Sequence, residues 1–272
     1  MPLDGFFIDY RPVDEFSRDE FDIKNFGFAD LVAFFPGWKF ELYANDIAII
    51  LLPTEINDIE PVLLAKNFIE GENDMGVNVG YGDMDIDMDI ENISKTLLKI
   101  DIPILPFEEC IQSNVYSVMC AGTSEKRSDH GDSGGPLFFN ASDGKEYQIG
   151  IANGMALKSG NFPLPWDVPD YVAYIRISAY CIWIEQTTKG EAKCVEIGGM
   201  STSNQNPQVP ENGDEPDVPP NTNKLNDTTA KAQIAGITEV QKSDENNGAV
   251  SKNCILLTLF FSFILNFFEL VF

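Results

Sequence analysis

The sequence predicts an all-β domain that ends in one short helix, and three features carry that prediction. Between residues 1 and 194 the apolar residues come in short runs rich in Ile and Val. Gly, Pro, Asn and Asp separate these runs, the pattern of strands joined by turns. The chain is 44% hydrophobic with 20 Phe, enough to build a sizeable core.

The elements follow in order. Asp46–Leu52 (DIAIILL), Gly76–Tyr81 (GVNVGY), Gln148–Ala152 (QIGIA) and Tyr171–Ser178 (YVAYIRIS) read as strands. Ser178–Thr187 (SAYCIWIEQT) reads as the helix, because Ser opens it and its apolar residues fall at helical spacing. The composition then changes near residue 195. Residues 195–253 are rich in Pro, Asn, Gly, Ser, Thr and acids. They bury too little apolar surface to offset ordering, so a flexible acidic stalk is expected. Residues 254–272 (CILLTLFFSFILNFFELVF) form a hydrophobic tail with two anchoring readings, a membrane-spanning helix or a signal for a glycolipid anchor. No Lys or Arg follows the apolar run, and the small triplet Asn247-Gly248-Ala249 precedes it, which favours the glycolipid signal. A site near Ser243 stays open, since the spacer Val250–Asn253 is short. At the other end, Met1–Phe16 lacks the apolar core of a secretory signal peptide.

Charge excludes further classes. Asp and Glu number 43 against 18 Lys and Arg, a net charge of −25. A nucleic-acid partner or an anionic membrane surface needs clustered bases, so neither is expected. One histidine rules out a multi-histidine metal site, and no cysteine pair has C-x-x-C spacing, so no metal and no cofactor are expected. The run Asp83–Glu91 (DMDIDMDIE) alternates acid with apolar residues. That places its carboxylates on one strand face with no turn to wrap an ion, and it reads as a solvated acidic edge.

The strongest local signal is Gly131-Asp132-Ser133-Gly134-Gly135-Pro136-Leu137. Its glycines let the backbone turn sharply, so that consecutive N–H groups converge beside a serine hydroxyl. That is a nucleophile next to an oxyanion hole.

With this motif the chain resembles the chymotrypsin family of serine proteases. Asn45-Asp46-Ile47-Ala48, Gly80-Tyr81-Gly82, Leu97–Cys110 followed by Met119-Cys120-Ala121-Gly122, and Arg176–Ile184 extend the resemblance over most of residues 36–187. The resemblance implies two six-stranded Greek-key β-barrels, the first incomplete here, with a short C-terminal helix. It implies Ser133 as nucleophile, Asp46 as the carboxylate that orients the base, and the Gly131 and Ser133 amides as the oxyanion hole. Asp132 resembles the aspartate that pairs with a new amino terminus after zymogen cleavage. In the substrate pocket, Arg127 stands where trypsin-like enzymes have aspartate. It either selects acidic side chains or swings to solvent. Asp129 replaces a pocket cysteine, Ile151-Ala152-Asn153-Gly154 stands for the usual Val-Ser-Trp-Gly wall, and Val172 replaces a pocket glycine and narrows the opening.

One element of the pattern is missing. The family's histidine precedes its aspartate by about 45 residues, and no Ala-Ala-His-Cys segment precedes Asp46. The single histidine, His130, lies three residues before Ser133 and is too local to act as base across the cleft. Two functions are therefore carried forward. One is a serine endopeptidase whose amino-terminal part is absent and which is inactive as written. The other is a catalytically dead homologue serving as a surface-tethered binding or regulatory module. Either takes a polypeptide substrate or protein ligand and works as a monomer, with membrane attachment through the tail.

The resemblance implies a Cys110–Cys120 disulfide. Cys181 and Cys194 either pair locally or one of them pairs with a cysteine outside this sequence. Cysteine usage and the sequons at Asn92, Asn140 and Asn226 point to the secretory pathway, outside the cell or at its surface.

Overall fold

The computed structural model describes residues 7–9, 26–28, 31–37, 45–52, 55, 60–84, 94, 96–110, 116–159, 167–200 and 254–257. The acidic residues 85–91, the sequons at Asn92 and Asn226, the stalk from residue 201 to 253 and the tail from 258 onward lie outside them.

Six strands form a closed barrel. They are β6 (Met75–Gly80), β7 (Leu98–Pro103), β8 (Val118–Ala121), β9 (Pro136–Asn140), β10 (Glu146–Ala156) and β11 (Tyr171–Arg176). Antiparallel pairing runs from β7 through β6, β9, β10 and β11 to β8. The bridge between Ile104 and Ala121, with Leu105 N donating to Cys120 O at 2.9 Å, brings β8 back to the end of β7. Closure removes the free strand edges of an open sheet. Ile102, Met119, Leu137, Ile149 and Tyr174 fill the interior, none above 1% exposed. Burying each such side chain contributes about 1.5–3 kcal/mol. Strand β10 extends four residues past Ala152, where the sequence pattern ends it. Bulges at Gln148/Gly150 and Ala152/Gly154 let it serve β9 and β11 in turn.

A second set of strands pairs separately from the barrel. β3 (Leu31–Phe34), β4 (Ala48–Leu51) and β13 (Cys254–Leu257) form a three-stranded antiparallel sheet, and β1 (Phe7–Asp9) pairs with β2 (Phe26–Phe28). The described residues thus hold one closed barrel and a smaller sheet, not two complete barrels. The segment predicted as the start of a hydrophobic tail contributes β13, and no helix among the described residues is long and apolar enough to cross a membrane.

The closing helix differs from its prediction at its start. Ile177–Tyr180 form a 3-10 turn, and α1 spans Cys181–Thr187. Its Trp183 and Ile184 pack with Phe35, Ile47 and Ile49 on one side and Leu64, Ile151 and Ile175 on the other, joining the smaller sheet to the barrel. Cys181 bonds Cys194, which resolves the open pairing, and Cys110 bonds Cys120 as the resemblance implies. Past the disulfide, β12 (Cys194–Val195) pairs in parallel with β5 (Leu63–Ala65), and Ile197 is buried. Packing therefore runs past the composition change at 195, where the disulfide and the β5 edge hold the chain and Ile197 N donates to Asn67 Oδ1 at 2.9 Å. Arg176 is enclosed among these elements. It pairs with Glu70, donates to Tyr116 O at 2.7 Å and stacks 5.0 Å from the Tyr116 ring centre.

Candidate active site

The turn that carries Ser133 is shaped by glycine. Gly131 and Gly134 have φ of +94° and +85°, in the left-handed region that favours residues without a Cβ. A Cβ on Gly135 would stand 2.8 Å from Asp132 O. The turn is fastened to β10 by two rungs, Gly134 N to Ala152 O at 2.9 Å and Ala152 N to Gly135 O at 2.8 Å. Ser133 is left exposed at its apex. Among the described residues the amides of Gly131 and Ser133 donate to no protein acceptor, so both remain available to an oxyanion.

Asp46 begins the buried run that becomes β4 and is itself 6% exposed. Asn45 precedes it with φ +66° and is clamped from two sides. Its amide N–H donates to Tyr180 Oη at 2.8 Å and its Nδ2 to Gly37 O at 3.1 Å. Tyr180 Oη in turn donates to Asn45 Oδ1 at 2.9 Å. Burial pushes the Tyr180 hydroxyl pKa up to about 12, and the nearby Asp46 charge adds to the rise. Asn153 Nδ2 donates to Asp46 Oδ2 at 3.2 Å. Since Asn153 directly follows Ala152, a single stretch of β10 holds the Ser133 turn and touches Asp46.

Asp132 points away from Ser133 into the protein. Its Oδ1 accepts from Gly82 N at 2.8 Å and its Oδ2 from Asp129 N at 3.0 Å. Gly80 and Gly82 make room for it, because a Cβ on either would stand 1.9 Å or 2.6 Å from its carboxylate atoms. Burial raises the Asp132 pKa, the two amide bonds oppose the rise, and the Asp129 charge adds to it. The carboxylate borders a cavity of about 610 Å³, lined also by Asn78, Asp83, Lys99 and Arg127.

Arg127 departs from one of its two sequence expectations. It is not turned to solvent, its side chain being 7% exposed, and its charge is matched locally. Nη2 donates to Asp129 Oδ2 at 2.9 Å and Nη1 to Ser124 O. Arg127 and Asp129 thus form a local ion pair within one turn. Val172 is buried between Ala121 on β8 and Met155 on β10. Gly154 is half-buried beside the β10 bulge, while Asn153 turns toward Asp46.

Two features had no sequence signal. One is the Asn153–Asp46 contact. The other is a buried polar cluster beneath the turn, where Ser128 Oγ donates to Asn78 Oδ1 at 2.9 Å and meets Tyr174 Oη. Burial holds the Tyr174 hydroxyl well above its usual range. Among the described residues no group of acidic, cysteine or histidine side chains is arranged to hold a metal ion.

The fold agrees with what the chain is similar to. The trypsin family model matches residues 13–184. Duodenase-1 of Bos taurus is 30% identical over 164 residues, covering 57% of this chain and 59% of that protein. The venom peptide isomerase heavy chain of Agelenopsis aperta is 28% identical over 167 residues, covering 56% and 64%. This chain therefore spans about three fifths of the length of the curated relatives it matches. Among solved structures, neuropsin, a serine protease expressed in the limbic system of mouse brain, shares the fold. Its TM-score is 0.50 at 23% identity, over 60% of this chain and 72% of that one. The chain belongs to the trypsin family of chymotrypsin-like serine proteases.

Proposed function

We propose that the chain is the nucleophile-bearing part of a serine endopeptidase. The observation that carries the reading is the shared strand: β10 fastens the Ser133 turn at Ala152 and reaches Asp46 through Asn153. In the reaction, Ser133 Oγ attacks the carbonyl carbon of a peptide bond and gives its proton to a base. The carbonyl oxygen becomes an oxyanion held by the Gly131 and Ser133 amides. Collapse expels the amine, which takes up the proton, and water then hydrolyses the acyl ester on Ser133. Asp46 serves by orienting the base.

The base is what the given residues lack. The one histidine, His130, hydrogen-bonds Asp129 rather than Asp46. Without an imidazole between Asp46 and Ser133 the serine hydroxyl stays protonated and nucleophilically weak, so this chain by itself turns over slowly. No cofactor enters the reaction. With Arg127 matched by Asp129 and Val172 filling its wall, the reading favours a small apolar side chain in the pocket rather than an acidic one. Asp132 and its cavity suit a cation, in keeping with the zymogen-type role. The two disulfides support an oxidising, secretory compartment, and the apolar tail supports a membrane tether.

A second reading, the catalytically dead binding module, is favoured by Asn153, whose amide already occupies Asp46 Oδ2. Chemical rescue separates the two. Free imidazole added to the full chain is expected to raise peptide hydrolysis in proportion to its concentration, while Ser133→Ala stays flat. If the two proteins behave alike across the imidazole range and still bind peptide, the binding module replaces the protease.

A further inference from the structure

The described part of the apolar tail is a strand. Residues 254–257 form β13, which lies along one edge of β4 while β3 holds the other. The register is antiparallel, with Cys254 opposite Leu51, Ile255 opposite Ile50, Leu256 opposite Ile49 and Leu257 opposite Ala48. β4 itself is fixed in place. Ala48, Ile49 and Ile50 are buried, and Ile49 packs with Trp183 and Ile184 of α1. β13 is the outer strand, and among the described residues its backbone pairs with β4 alone.

We propose that the outer edge of β4 is a strand-addition site whose occupant, residues 254–257, leaves it when a lipid bilayer takes up the tail. A strand edge presents a row of N–H and C=O groups that another extended segment can pair. The tail matches this edge in character, Cys-Ile-Leu-Leu against Ala-Ile-Ile-Leu, with no charge on either strand. The pairing is only four residues long and stands at the far end of residues 201–253. A tether of that length gives its end an effective concentration of roughly millimolar or less, so the pairing is open to competition.

Length makes the two places of the tail exclusive. The hydrocarbon core of a bilayer is about 30 Å thick. As a helix, residues 254–272 reach about 28 Å, close to that span, whereas residues 258–272 reach only about 22 Å. Crossing therefore needs residues 254–257. In hydrocarbon their backbone groups must be satisfied within a helix, which takes them from β4. The glycolipid signal leads to the same state, because cleavage near Asn247-Gly248-Ala249 removes these residues outright. Asp46 lies just before β4, so loss of β13 bares an edge of the strand that follows it. The exchange is independent of turnover at Ser133.

The two disulfides take four of the five cysteines and leave Cys254, opposite Leu51, as a reporter. Full-length Leu51→Cys is oxidised mildly, and mass spectrometry reads the bridge from the introduced thiol to Cys254. Phe34→Cys is the reference, since it places an exposed thiol on β3, across β4 from the tail. In buffer, Leu51→Cys should bridge about tenfold or more over Phe34→Cys, the advantage of a held pair over a tethered one. Neutral phosphatidylcholine vesicles, which do not repel a net charge of −25, are then added before the oxidant. The bridge should fall to the Phe34→Cys level while the protein floats with the lipid. Hydrogen exchange on the unsubstituted chain covers the case in which Leu51→Cys fails to fold. Alternate amides of residues 48–51 face β13 and should lose their protection with vesicles, while those facing β3 keep it. Equal bridging by the two variants in buffer, or fast exchange on the β13 side without lipid, overturns the tail as occupant. Flotation with bridge and protection intact overturns the competition, as does failure to float.

Discussion

Asn153 spans 107 positions of sequence to donate its side-chain amide to Asp46 Oδ2 at 3.2 Å. Both residues are buried, Asp46 at 6% and Asn153 at 3% exposed, so the bond is made away from bulk water. It joins the smaller sheet to the barrel at the point where the barrel also holds the Ser133 turn. A buried carboxylate needs donors, and this amide supplies one from the strand that positions Ser133.

Asn153→Ala removes that donor and leaves Asp46 with only its other contacts. The expected loss is about 1–3 kcal/mol, the range for leaving a buried acceptor short of a partner. Urea denaturation of the variant and the wild type measures it. A loss below about 0.5 kcal/mol, the low end for one net hydrogen bond, means that water takes the place of the amide.

Gly80→Ala tests the seat of Asp132. Its Cβ would stand 1.9 Å from Asp132 Oδ1, a distance no rotamer of alanine relieves. Asp132 must then move, and with it the turn that presents Ser133. The expected cost is about 1–3 kcal/mol, as for other overpacked sites, together with loss of the imidazole-rescued hydrolysis. Gly144→Ala is the comparison, because nothing lies within 4 Å of its Cβ and only its φ of +79° is strained. That variant should keep the rescued rate. Equal behaviour of the two variants means that Asp132 has room to shift without disturbing the turn.

Much of this arrangement is legible in the sequence, for physical reasons that differ by residue. The GDSGGP run declares itself because the glycines are demanded by backbone geometry, as the φ values of Gly131 and Gly134 bear out. The apolar run after Asp46 predicts a buried strand, and Ala48, Ile49 and Ile50 are all buried. What was not legible depends on which way a side chain turns. Arg127 has a partner two residues away in Asp129, and nothing local says that it folds inward onto it rather than into an open pocket. The resemblance expects Asn153 in a pocket wall, and at the β10 bulge its amide donates to Asp46. The start of the closing helix was misread because Ile177–Tyr180 have helical spacing but form a 3-10 turn.

Asp132 gives the protein a pH dependence of defined sign. Burial raises its pKa above 3.8, the Asp129 and Gly82 amides pull it down, and the Asp129 charge pushes it up. Among the described residues no basic side chain pairs with it. The folded state therefore binds this proton more tightly than the unfolded chain does. Between 3.8 and the raised folded value, the native state carries more of the proton, so stability falls as pH rises through that window. The favourable contribution is complete below 3.8. Asp132→Asn removes the titration but also places an amide donor near the Asp129 N–H, so a constant offset is expected and only the slope is diagnostic. Urea denaturation at intervals from pH 3 to pH 7 should show the variant gaining on the wild type across the window and then running parallel to it. Curves parallel throughout mean that the two amide bonds offset the desolvation of Asp132. A cation bound in the cavity beside it would favour the ionised carboxylate, lower the folded pKa and reverse the slope, so the same titration reports whether that cavity is filled.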